Sequence, residues 1–99
     1  MKDIYQVIKI YFDDLYWKGK LLVFTWHFKD EFDKLKKPIE FVLDILNEGE
    51  HILVSKKQNK YNVFYQFRRK YLCLSYVEHE NIILIHIKPT TKKPEAAQK

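Results

Sequence analysis

In the second half of the chain, apolar and polar positions alternate with almost no pause. Residues 51–56, 61–68, 71–78 and 82–88 are rich in β-branched and aromatic side chains, and the breaks Lys57–Lys60, Arg69–Lys70 and His79–Asn81 between them are short and polar. That is the signature of strands joined by hairpins, and it predicts a four-strand antiparallel meander. Along the last strand a period of two sets Ile83, Ile85 and Ile87 on one face and Ile82, Leu84, His86 and Lys88 on the other. His86 and Lys88 are therefore expected to point the same way.

The first half carries a longer period. Ile4, Val7, Ile8, Tyr11, Phe12 and Leu15 recur at helical spacing behind Asp3, a residue suited to a helix start, and predict a helix over residues 3–17. Tyr5, Ile10, Tyr16 and Trp17 widen its apolar surface, enough for one face to dock on a sheet and another to meet a second copy of the chain. Lys18-Gly19-Lys20 punctuates, and the apolar run Leu21–Trp26 then suits a central strand buried on both faces. Phe28, Phe32 and Leu35 follow at i, i+4, i+7, a short helix that must end before Pro38. Pro38 opens another, with Ile39, Val42, Leu43 and Leu46 on one face and Gly49 just past its end.

These elements predict a single α+β domain over residues 1–89: an N-terminal helix, a strand, two short helices, then the meander, in an antiparallel or mixed sheet of about five strands. Residues 90–99 offer little to bury and are expected to form a disordered basic tail. At 99 residues the chain is long enough for one core and too short for two. A single cysteine, Cys73, allows no intramolecular disulfide and fits a reducing compartment, the cytoplasm by default. Neither a secretory leader pattern nor an uncharged run of 18 apolar residues occurs, so no membrane association is expected.

Charge divides the chain. The net +5 is the sum of −2 over residues 1–50 and +7 over residues 51–99, so the basic half is the strand-rich half. A basic sheet face or rim is a surface for phosphate, although lysines on strand edges also block edge-to-edge aggregation. The densest cationic run, Arg68-Arg69-Lys70, falls at a hairpin turn, beside the alternating Tyr61, Tyr65 and Phe67. Aromatic rings next to cations make a stacking platform for bases; the same rings at period two also make a core. With Gly19 and Gly49 the only glycines, no phosphate-cradling loop exists. The four histidines show no metal-ligand spacing, and neither a metal nor a cofactor is expected.

Three places in this sequence resemble the small RelE/ParE-type toxin superfamily and the uncharacterised domains related to it, over roughly residues 21–89. Thr25-Trp26-His27-Phe28 looks like the strand exit at which a histidine starts a helix, Lys60-Tyr61-Asn62-Val63 through Arg68-Arg69-Lys70-Tyr71 looks like the basic hairpin, and Ile83–Lys88 looks like the closing strand. The resemblance implies an RNA-directed protein, in the active members a ribosome-associated ribonuclease neutralised by an antitoxin. It assigns Arg69, His86 and His27 to catalysis, and Lys60, Tyr61, Tyr65, Arg68, Arg69, Lys70 and Lys88 to nucleic-acid binding. Such cleavage needs an activated 2′-OH, a stabilised phosphate and a proton for the leaving oxygen. The sequence lacks the C-terminal helix and terminal tyrosine of many members. That departure favours an alternative, a non-catalytic nucleic-acid-binding or interaction module that forms a homodimer through the N-terminal helix. Each histidine also has a plainer use, His86 as a hydrogen-bonded strand residue and His27 as a helix cap.

Overall fold

The computed structural model describes residues 7–8 and 15–91. In chain order these form β1 (Val7–Ile8), β2 (Tyr16–Trp17), β3 (Lys20–Thr25), α1 (Trp26–Asp33), α2 (Phe41–Glu48), β4 (Glu50–Ser55), β5 (Lys60–Phe67), β6 (Lys70–Glu78) and β7 (Ile82–Thr90). The strands lie in the order β1-β3-β7-β6-β5-β4, with β2 also paired to β3. Among the described residues no helix is long and apolar enough to cross a membrane. Residues 92–99, most of the expected tail, lie outside the described residues, and Thr90 still belongs to β7.

This architecture overturns the expected one. In place of an N-terminal helix followed by an antiparallel meander there is a mixed, curled sheet shaped like half a barrel. Val7 and Ile8 pair antiparallel with Thr25 and Phe24, and Tyr16 and Trp17 pair with Leu21 and Lys20, so both described parts of the 3–17 stretch are strand. Leu15, outside any strand, accepts the Leu22 N–H at 2.8 Å, and the rest of that stretch lies outside the described residues. The paired residues Val7, Ile8, Tyr16 and Trp17 are β-branched or aromatic, types that suit a pleated surface, and the edge of β3 supplies the partner that spacing along the chain could not reveal. The sheet is mixed because β3 pairs in parallel with β7, Leu22 opposite Ile82 and Phe24 opposite Leu84. From β4 through β7 the neighbours in sequence are antiparallel neighbours in space.

Turn chemistry fixes the hairpins. Lys18 and Gly19 both have positive φ, 57° and 76°, which matches the right-handed twist of the strands they join and aligns Trp17 with Lys20. The β5–β6 turn is Arg68-Arg69, with Phe67 opposite Lys70 and Arg68 held at φ 60°. No glycine relieves that position.

One irregularity re-aims β7. Ser75 pairs with His86 and Tyr76 with Leu84, leaving Ile85 as an extra residue in the strand. The expected faces are therefore exchanged past the bulge: Ile87, not His86, joins Ile82 and Leu84 in the core. His86 and Lys88 are turned away from it.

The main core lies between the sheet and the two helices. Leu22 and Phe24 of β3, Phe28 and Phe32 of α1, Val42, Ile45 and Leu46 of α2 and Leu72, Leu74 and Tyr76 of β6 are buried in it. Helix α2 starts later than Pro38 predicts. Residues 38–40 form tight turns, with the Phe41 N–H donating to Pro38 O at 2.9 Å, and Phe41 and Ile45 are buried where Ile39 and Leu43 are only half so. Thr25 joins β3 to α1 by two bonds: its hydroxyl donates to Leu84 O at 2.8 Å and accepts from the Phe28 N–H at 3.1 Å. The chain thus enters α1 immediately, and the helix takes up the edge of β7 that β3 has just left.

Candidate functional site

That hand-over builds the site. Past Leu84 the outer edge of β7 has no strand neighbour on the β3 side among the described residues, and the Ile87 N–H donates instead to the Glu31 carboxylate of α1 at 3.0 Å. Glu31 stands one helical turn after His27, so both side chains leave the same face of α1. His27 Nε2 lies 3.4 Å and Lys88 Nζ 3.7 Å from one Glu31 oxygen, and His86 Nδ1 lies 3.6 Å from the other. The imidazoles of His27 and His86 meet edge to face, centroids 4.5 Å apart. Spacing and the bulge together bring these four side chains to one place.

Their burial is graded. The Glu31 side chain is 13% exposed, those of His86 and His27 are 40% and 57% exposed, and Lys88 is 63% exposed. Glu31 is thus the anchored centre of a cluster open on one side. Burial, and then the neighbouring His27 and Lys88, hold the His86 imidazole below its ordinary range, against the opposing pull of Glu31. At 3.6 Å from the carboxylate, His86 Nδ1 is beyond hydrogen-bond distance, and it is enclosed by protein without a hydrogen-bond partner.

The second part of the site follows directly along both elements. Residue Pro89 after Lys88, and residue Lys34 one turn after Glu31, line a cavity of about 540 Å³ whose other walls include Phe67, Arg68, Arg69, Lys70 and Tyr71. The Arg68 guanidinium lies over the Phe67 ring at 4.9 Å, and Lys37 Nζ approaches the same ring at 5.4 Å. Phe67 is therefore flanked by two cations. The turn between β5 and β6 and the loop between α1 and α2 share one basic rim, tied along the chain to the His27–Glu31–His86 cluster by the Glu31–Lys34 turn of α1 and by Lys88–Pro89 of β7.

Sequence reasoning placed Arg68, Arg69, Lys70, His86, His27 and Lys88 on this surface and missed Glu31, Lys34 and Lys37. An acid on an amphipathic helix carries no signal that sets it apart from a solvated one. The remaining candidates stand elsewhere. Tyr65 packs edge-on against Phe41, 5.6 Å between centroids, and its phenol is raised by burial and by Glu48 and Asp44. Tyr61 stacks on Tyr76 at 5.2 Å, and Lys60 pairs with Val77 at the opposite end of β5 from the Arg68 turn. Tyr61, Tyr65 and Phe67 thus pack against the main core, and the bases of a nucleic acid would find Tyr61 and Tyr65 already occupied.

At that opposite end a separate aromatic box is fully bonded. The Leu46 carbonyl, which can only accept, takes the proton of His51 Nε2 at 2.8 Å, so the Tyr76 hydroxyl donates to Nδ1 at 2.9 Å, while Trp17 stacks on His51 at 5.3 Å. Nearby, Glu78 accepts from Lys20 Nζ at 3.0 Å and has Lys18 at 3.7 Å; the Lys20 bond holds its carboxyl below the usual range, with burial opposing. A depressed folded-state value means stability that is complete above the unfolded carboxyl's pKa of about 4.3 and is lost as pH falls through the folded one. Glu78→Gln is therefore expected to flatten the fall in Tm between about pH 5 and pH 3, and an unchanged acid limb in thermal melts would exclude this assignment.

Comparison with protein-family models, with curated proteins and with solved structures found no match to this chain.

Proposed function

We propose that the protein is an RNA-directed, RelE/ParE-like cytoplasmic protein that grips the phosphodiester backbone along the Lys34–Lys37–Arg68–Arg69–Lys70 rim and presents the His27–Glu31–His86 cluster to a ribose 2′-OH. The observation that carries this reading is the lining of one cavity by Lys34, Arg68, Arg69 and Lys70, with Lys37 beside Phe67 at its wall. A non-glycine residue in the left-handed region costs about 1–2 kcal/mol, and the turn would accept glycine at once. Arg68 takes that conformation at φ 60°, as Lys18, Lys36 and Asn59 do at φ 56–57°, so the angle belongs to the turn, and it is the cationic lining of the cavity that fits a phosphate ligand. In the cleavage step, one imidazole accepts the 2′-OH proton as that oxygen attacks the adjacent phosphorus, and the other donates a proton to the departing 5′ oxygen. Glu31 supports whichever ring is cationic, and Lys88 and Arg69 meet the charge that gathers on phosphate.

Three experiments test it. Arg68→Gly is expected to raise stability by about 1 kcal/mol while weakening binding of a single-stranded RNA, opposite signs that a purely structural arginine would not give. Replacing Arg68, Arg69 and Lys70 together by glutamine is expected to lower the slope of log affinity against log salt by about 2. For cleavage, product formed by an Arg69→Ala, His86→Ala variant at the wild-type rate would reject the catalytic assignment.

A second reading is favoured by one specific observation, the gathering of His27, His86 and Lys88 on a single carboxylate, which is also what a structural ion cluster looks like. In that case the protein binds nucleic acid without cutting it. Salt-sensitive RNA binding with no product selects this module. The described parts of the stretch expected to form its dimer contact, Val7–Ile8 and Tyr16–Trp17, are strand, so such a contact would not rest on a helical face there.

A further inference from the structure

We propose that His27, Glu31 and His86 form a binding site for one divalent transition-metal ion of the zinc type, and that Lys88 is its built-in competitor. One potential ligand atom from each of the three side chains lies within 4.8 Å of the others. The two imidazoles face the two carboxylate oxygens, His27 Nε2 at 3.4 Å from one and His86 Nδ1 at 3.6 Å from the other, each near the spacing of about 3.3 Å between donors that surround zinc tetrahedrally at roughly 2.0–2.1 Å. Two imidazoles and a carboxylate are a donor set that suits zinc, cobalt and nickel and disfavours magnesium and calcium, which take oxygen.

Three features make this a built arrangement. The Ile87 N–H holds one carboxylate oxygen at 3.0 Å and so orients the group, the support that metal-ligating carboxylates receive from their surroundings. His86 Nδ1 is enclosed by protein without a hydrogen-bond partner, 3.6 Å from the carboxylate. The outward side of the cluster is open, since the His27 side chain is more than half exposed, which leaves room for water or a substrate oxygen as a fourth ligand.

Lys88 Nζ stands 3.7 Å from the oxygen that also faces His27, on a side chain 63% exposed. A bound dication repels this ammonium group, and Lys88 is free to swing into solvent. The lysine therefore weakens the metal without blocking it.

The inference uses the same side chains as the RNA reading but does not depend on RNA being the substrate. An ion held here occupies the imidazole lone pairs that proton transfer requires, so if cleavage is observed, zinc suppresses it. The metal site itself is tested without RNA, on the full chain, by cobalt titration followed through the visible d–d bands and by zinc calorimetry. Wild type is expected to take up one equivalent. Glu31→Gln, which keeps an oxygen for the Ile87 N–H and so preserves the fold, is expected to lose roughly 10-fold or more in affinity, as are His27→Ala and His86→Ala. Lys88→Met is expected to bind several-fold tighter, and His79→Ala to bind as wild type. Cobalt uptake that is equal in wild type and in the folded Glu31→Gln variant overturns the proposal. So does a Lys88→Met variant that binds no tighter together with a His27→Ala variant that binds no weaker. Failure of RNA binding in the separate assays leaves these titrations unaffected.

Discussion

Gly49→Ala is expected to lose about 3 kcal/mol of stability or more, a large share of the 5–15 kcal/mol that a domain of this size has. The cause is space and not backbone freedom, since Gly49 has extended angles, φ −80° and ψ 169°, that any residue adopts. A Cβ there would lie 2.5 Å from Val63 Cγ1, 2.7 Å from Ile45 O and 3.1 Å from Phe64 O. None of the three can retreat easily. Val63 is fully buried, the Ile45 carbonyl accepts the Gly49 N–H at 2.9 Å, and the next residue, Glu50, is already paired with Phe64. The end of α2 and the start of β4 are thus pressed onto β5 at this point. Denaturant unfolding measures the effect, and a loss below about 1 kcal/mol would show that the junction relaxes more than the packing permits.

Phe28→Ala is expected to cost about 3–5 kcal/mol, with a fall in Tm of more than about 10 °C. Phe28 is fully buried, stacks on Phe32 with centroids 5.9 Å apart and meets Phe24 edge-on at 5.6 Å. It is the contact that sets the rotation of α1 about its own axis. Because His27 precedes it and Glu31 follows three residues later, the same packing aims both at β7. Phe28→Leu, which keeps most of the volume, is expected to retain more than half of the lost stability and to keep the cluster assembled. Equal thermal melts for Phe28→Ala and wild type would exclude this role.

How far the fold was legible depended on whether the deciding partner lay nearby in sequence. The strands from β4 to β7 announce themselves because each is long, β-rich and bounded by polar breaks, and their hairpins need only local chemistry. The stretch before Lys18 does not, because its apolar residues match a helix by spacing and a strand by type, and only the edge of β3, made later in the chain, decides between them. The bulge at Ile85 is equally hidden. One unpaired residue inverts the alternation, so the same seven letters that placed Ile82, Leu84, His86 and Lys88 together could not tell that the first two go inward and the last two outward. For the site, His27 and His86 were visible as chemistry-bearing residues, whereas Glu31, the group that joins them, was not. Its importance comes from an unpaired N–H on β7, a vacancy that exists only once the sheet is built.

The adjacency of β3 and β7 also orders events in time. Thr25 and Leu84, bonded to each other, are 59 positions apart, and the whole of β4, β5 and β6 must emerge and be made before they can meet. Closing so long a loop is slow compared with zipping a hairpin, which places the joining of the two halves late on the folding route. Until then β3 has its future parallel edge bare and apolar, the condition in which nascent chains stick to one another or recruit chaperones. The histidine–glutamate cluster, which spans this same seam, is consequently among the last features to assemble, and a half-folded chain does not bring its four side chains together.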